Sequence, residues 1–262
     1  MLGEPPRTPY DVSFPILGVN VRVTPWFWLM AVVLGYSMVV SDSRVGEASR
    51  GLLFALWIAA VFLSILIHEL GHSMAFRRYG IDSYIVLYHF GGVAVPSRSW
   101  GFQASQHGST NSRVIISAAG PGAQLAAAGI VMILVRLSGH AIPNSVYWLL
   151  DWFAPQPKGL PDIPMPMYFA VDYFLWPSVF WALLNLIPVY PLDGGQIARE
   201  WFGVLNSFKI SMAAAAAVVL FAFTLPGRPV FLMVMFAVLG YQSYQAYQAY
   251  SGRGGGFGGR PW

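Results

Sequence analysis

Cysteine is absent from the 262 residues, so neither a disulfide nor a thiolate metal site is open to this chain. Any bound metal must therefore take nitrogen and oxygen ligands. Charge is scarce too: 10% of residues are Asp, Glu, Lys or Arg, against about 25% in an ordinary soluble domain, while 56% are hydrophobic. Such a composition implies a polytopic membrane protein with the lipid bilayer as its solvent. The small basic excess of +4 sits at the ends of apolar runs and forms no patch, so nucleic acid is not an expected partner. No internal repeat is visible. The first 25 residues carry prolines and acids where a cleavable leader needs a charged start and an apolar run, so the first span is expected to act as the signal.

Apolar runs near 25–41, 51–76, 113–137, 167–187, 207–225 and 229–249 are long enough, or nearly so, to cross about 30 Å of hydrocarbon. The expected fold is an all-α polytopic membrane protein of about six transmembrane helices. Between the second and third spans, "GIDSYIVLYHFGGVAVPSRSW" clusters β-branched and aromatic residues around Gly91 and Gly92, which predicts a short hairpin or strand pair. A sheet edge cannot face lipid, so this piece must be shielded by protein or line a watery cavity. The expected division is a cytoplasmic segment over 1–24, a membrane-embedded core over 25–205, two further helices over 206–250 and a disordered glycine-rich tail over 251–262. Residues 138–166, with "VYWLLDWF", read as an interfacial helix or a lid.

Counting from a cytoplasmic N-terminus places ten of the 15 Lys and Arg residues inside, which predicts cytoplasmic N- and C-termini in a plasma membrane. The second span then runs inward. It carries "SILIHELGHSM", a costly insertion: an ionisable residue deep in a bilayer costs at least about 2.5–3.5 kcal/mol and generally faces a cavity with a function. On a helix His68 and His72 are one turn apart and can aim at one ion. Glu69, rotated about 100° from His68, lies beside that ion, placed to take a proton from a bound water. Hydrolytic zinc usually takes a third protein ligand. Among seven Asp, Asp193 directly follows an apolar span in "NLIPVYPLDGGQIARE", on the side where HELGH ends; Glu200 is its rival. Pro188 and Pro191 break the helix before it. Asn185 either donates to an oxyanion or bonds between helices, and the residues alone leave both open.

HELGH, FGGVAV, AAGPGAQ and NLIPVYPLDGG together resemble the site-2 protease family of intramembrane zinc metalloproteases, over roughly residues 25–205. The resemblance implies one zinc ion on His68, His72 and Asp193, Glu69 as general base, Asn185 as transition-state donor, and Gly91 and Gly92 in a re-entrant β-loop that receives substrate. It implies a transmembrane protein as substrate, cleaved within or next to its membrane helix to release a tethered regulator. Where family members usually have Asn at the end of the GPxxN motif, this chain has Gln124, a longer amide that keeps hydrogen-bonding capacity but changes local packing. Neither a PDZ nor a CBS domain is recognisable, which leaves substrate selection to the membrane core, the loops, a regulatory partner or a homo-oligomer. Two other classes remain at this stage, a metal-binding transporter and a catalytically silent scaffold. Retention of Glu69 speaks against the scaffold, and the lack of paired repeats speaks against the transporter. His89 stands near the glycine pair, His107 in a polar loop, and His140 at the far end of the third span.

Overall fold

The structure is a computed structural model and describes residues 5–40, 50–89, 91–97, 109–151, 155, 157, 159–225 and 229–252. His107 and most of the glycine-rich tail lie outside these residues. The chain divides into two compact units, one comprising Met1–Ser97 and Gly122–Ala182, the other Arg98–Pro121 and Leu183–Trp262. The described elements run β1 (Val12–Ile16), β2 (Val19–Val23), α1 (Pro25–Val40), α2 (Arg50–Arg78), β3 (Ser83–Tyr88), β4 (Gly91–Pro96), α3 (Thr110–Leu137), α4 (Asn144–Tyr147), α5 (Met165–Asn185), α6 (Asp193–Phe202), α7 (Val204–Thr224) and α8 (Val230–Ser251).

The expected strand pair is present, but it is half of a four-stranded sheet in the order β1-β2-β3-β4. Residues expected as a cytoplasmic segment supply the other half. "VSFPILGVNVRV" alternates apolar and polar residues on both sides of Leu17-Gly18, whose φ angles of 50° and 76° suit a two-residue turn with two positive-φ positions. Arg77, in the last turn of α2, donates to the Leu17 carbonyl at 2.9 Å and fixes this turn against the helix. β2 then pairs in parallel with β3, Val21 opposite Ile85 and Val23 opposite Leu87, while β3 and β4 pair antiparallel. Parallel neighbours need a long crossover, and here it consists of α1 and α2.

Val21, Val23, Ile85 and Leu87 are fully buried and share one core with Phe27, Trp57, Val61, Ile65 and Leu66. Trp57 of α2 locks onto α1: its indole N–H donates to the Ala31 carbonyl at 2.8 Å, and a Cβ on Gly35 would lie 2.3 Å from its ring. A second core in this unit joins Ala128 and Val135 of α3 and Leu175 and Val179 of α5 to Ile142, Val146, Tyr147 and Ile163. The last four belong to the 138–166 connection. In the other unit Val189, Ala215, Phe236 and Leu239 form the core. Small residues let α7 and α8 approach closely, a Cβ on Gly240 lying 3.1 Å from that of Ala215.

Six spans are expected from the sequence; among the described residues four helices are long and apolar enough to cross a membrane, Arg50–Arg78, Thr110–Leu137, Met167–Asn185 and Val204–Thr224. The described part of α1 has 16 residues, about 24 Å at 1.5 Å per residue against the roughly 30 Å needed. α8 has the length, but its second half, "YQSYQAYQAY", is too polar. Ile130, Ile133 and Leu134 on α3 and Leu220, Phe221 and Phe223 on α7 are exposed, as lipid-facing positions are.

Candidate functional site

The polar cluster of the first unit begins with α2. One helical turn separates His68 from His72, and their Nε2 atoms face each other at 3.1 Å. Both are buried, and Glu69 between them is only 4% exposed. The helix tolerates this because other elements supply polar contacts: His68 Nδ1 lies 3.0 Å from Oε1 of Gln124 on α3. Two nitrogens bound to one tetrahedral zinc at about 2.0–2.1 Å would stand about 3.3 Å apart. The observed separation and the all-imidazole chemistry of the pair fit such an ion with little adjustment.

β4 lies against the same stretch of α2. A Cβ built on Gly92 would fall 2.4 Å from Glu69 Cγ and 2.6 Å from its Oε1, so the space a side chain would need holds the carboxylate. Gly91 has a φ of +124°, which disfavours any other residue, and its Cβ would meet the Trp181 ring at 3.2 Å. The glycine pair expected to face substrate thus meets its own chain first. Tyr88, which pairs with Gly91 across the hairpin, has its phenol pKa pushed up by burial and, secondarily, by the charge of Glu69. His89 packs edge-on against the Tyr88 ring, with centroids 5.0 Å apart. His140 contacts Ser138 Oγ at 3.1 Å.

Asn185 and Asp193 belong to the other unit. Asn185 ends α5 and is half-buried. Asp193 is buried in the first turn of α6, where exposed backbone N–H groups favour a carboxylate. Its position depends on the two glycines that follow. A Cβ on Gly194 would lie 2.2 Å from the Leu186 carbonyl oxygen, and one on Gly195 2.6 Å from the Tyr190 nitrogen, so the helix start is pressed directly onto the backbone of 186–190. Tyr190 N–H in turn donates to Ser211 Oγ on α7 at 3.0 Å. Glu200, the rival of Asp193, is paired with Arg113 at 2.8 Å.

A family model described as peptidase family M50 matches residues 56–226, a stretch that contains both histidines, Glu69, Asn185 and Asp193. The chain belongs to peptidase family M50. A zinc metalloprotease of Methanocaldococcus jannaschii is 25% identical over 204 residues, 76% of this chain and 48% of the relative. A Synechocystis sp. relative is 25% identical over 191 residues, 71% of this chain and 42% of its own length. This M50 chain thus spans about half the length of the curated relatives it matches. A site-2 protease structure from Methanocaldococcus jannaschii superposes with a TM-score of 0.52 at 22% identity, covering 91% of this chain and 95% of that one, and shares the fold.

Sequence reasoning did not foresee the two glycines after Asp193 as packing residues, the contact of Gly92 with Glu69, or the polar partners of His68. A signal existed for the first: consecutive glycines at a helix start, where propensity disfavours them, suggest close backbone approach.

Proposed function

We propose that this chain is a zinc metalloendopeptidase that hydrolyses a peptide bond within or next to a substrate's transmembrane helix and so releases a membrane-tethered regulator. The observation that carries the reading is the buried His68–His72 pair with the buried Glu69 carboxylate in the space left open by Gly92. His68, His72 and Asp193, all buried, would hold the ion, which when bound polarises the scissile carbonyl and acidifies water. Glu69 takes the proton of the attacking water and returns it to the leaving amine. Asn185 donates its amide N–H to the oxyanion.

A helical substrate hides its carbonyls in internal hydrogen bonds, so it must unwind before attack, and the extended segment then needs backbone partners. β4 is the terminal strand of the sheet and meets Glu69 through Gly92. Addition of the substrate to this strand would bring an extended segment beside the base. The distribution of arginines and lysines supports cytoplasmic N- and C-termini, with a plasma membrane as the default for a compact chain of this type. The partners in this reading are the substrate and the bilayer.

The test is proteolysis of a reconstituted transmembrane substrate by wild type and Glu69→Gln, with zinc content measured on both. Loss of cleavage at unchanged zinc is expected. A transporter would instead show zinc flux that survives the substitution, and cleavage by Glu69→Gln at the wild-type rate would refute the assignment of the base.

A further inference from the structure

A neutral imidazole can present only one nitrogen lone pair, so a metal-facing His68 Nε2 requires the ring proton on Nδ1. The atom opposite Nδ1 decides this, and it is the side-chain amide of Gln124 at 3.0 Å. An amide can meet a ring nitrogen with its oxygen or its NH2 group, and the two choices set opposite tautomers. Gln124 is fully buried, with its amide nitrogen 2.7 Å from Ser64 Oγ and 3.4 Å from the Pro177 carbonyl oxygen. The Pro177 oxygen can only accept, so a reversed amide would set two acceptors against each other. Ser64 Oγ receives a further hydrogen bond from Ser178 Oγ at 2.9 Å, and both serines are fully buried. α2, α3 and α5 thereby converge on one amide, with its oxygen towards His68.

From this network we infer that Gln124 is a positioning residue: it accepts the Nδ1–H of His68, holds that ring in the tautomer whose Nε2 lone pair faces the metal, and is itself oriented by Ser64 and the Pro177 carbonyl. Partners behind a metal-binding histidine raise its basicity and fix its ring, and their removal typically lowers metal affinity about 10–100-fold. The amide that interrupts the GPxxN pattern therefore acts on His68 and does not merely fill space between helices.

The affinity arm of the test rests on the zinc reading above; the tautomer arm does not. Zinc dissociation constants would be measured by competition with a chromophoric chelator for wild type, Gln124→Met and Gln124→Glu in detergent. Methionine keeps the length and removes the acceptor, so affinity should fall about 10–100-fold. Glutamate keeps an oxygen opposite Nδ1 but sets its second oxygen against the Pro177 carbonyl, so it should recover part of the loss. Equal affinity in all three proteins, or equal loss in both variants, would overturn the inference, the second because shape alone would then matter. Nitrogen-15 spectra of the metal-free, histidine-labelled wild type, assigned by comparison with His68→Gln, report the tautomer directly. Protonated Nδ1 on His68 is expected. Protonated Nε2 with bare Nδ1 would overturn the inference even if Gln124→Met failed to fold. A wild type with protonated Nδ1 but no measurable zinc binding would retire the zinc reading and leave the orienting network standing.

Discussion

Gly92→Ala adds one carbon where the chain holds its carboxylate. The new Cβ would sit 2.4 Å from Glu69 Cγ, 2.6 Å from Oε1 and 2.7 Å from Cδ, against 3.4 Å for the closest ordinary contact. Relief requires the Glu69 side chain to retreat by about 1 Å, the difference between 3.4 and 2.4 Å. The side chain is flexible, so escape through an off-rotamer torsion costs on the order of 0.5–1.5 kcal/mol and the fold should persist. Function is far less tolerant: about 1 Å of misplacement can lower a rate by about 100-fold, and full loss of a general base by about 100–10,000-fold. The expected outcome is a kcat reduced at least about 100-fold, with KM, zinc content and thermal midpoint near those of wild type. Kinetics on a reconstituted transmembrane substrate, run alongside metal analysis, separate this from the rival account of the glycine. If Gly92 served only to admit substrate backbone, KM would rise and kcat would hold. A wild-type kcat in Gly92→Ala would refute the placement of Glu69 as base, since the carboxylate cannot stay where it is once that carbon is added.

Asp193→Ala should remove activity and most bound zinc, whereas Glu200→Ala should retain both and lose at most about 1 kcal/mol, because it breaks only a half-exposed pair with Arg113; metal analysis of the purified variants decides, and the reverse pattern would move the ligand to Glu200. Gly194→Ala should lower the thermal midpoint and zinc content together, overpacking against the Leu186 carbonyl costing about 1–3 kcal/mol or more, since backbone at 2.2 Å cannot step aside as a side chain can. The Tyr88 phenol, its pKa raised above the usual 10.0, stays protonated in the folded chain where the unfolded chain ionises. Its stabilising contribution is complete below the unfolded value of 10.0 and is lost as pH climbs through the raised folded one, so Tyr88→Phe should flatten the alkaline fall of the midpoint above pH 10.0.

The parts of this protein that depend on local spacing were legible in its residues, and those that depend on distant partners were not. His68, Glu69 and His72 fall within five consecutive positions of one helix, so the 3.6-residue period alone puts the two imidazoles on one face. The β3–β4 hairpin is local in the same sense, its glycines opening the second strand. β1 and β2 were written just as locally, in the alternation of "VSFPI" and "VNVRV" about Leu17-Gly18. Pro15 lies within β1, which is a terminal strand of the sheet, where proline is tolerated. That tolerance becomes visible only once β2 has found β3 more than 60 positions along the chain, through a parallel pairing with no turn residue to announce it. Span counting met the same limit from the other side, because apolar composition measures a helix's suitability for lipid and not its length or the polarity of its neighbours. The described part of α1 covers 16 residues and α8 turns polar halfway, although each begins with an apolar run. Gly92 shows why site assignment needs both kinds of information: the glycine expected from FGGVAV to receive incoming backbone also makes room for a carboxylate 23 positions earlier in the chain, which its spacing did not announce. The Glu69 carboxylate and the strand beside it are therefore one assembled feature, and if Glu69 is the base as proposed, a substitution in the hairpin should register as a defect in proton transfer before it registers as a defect in folding.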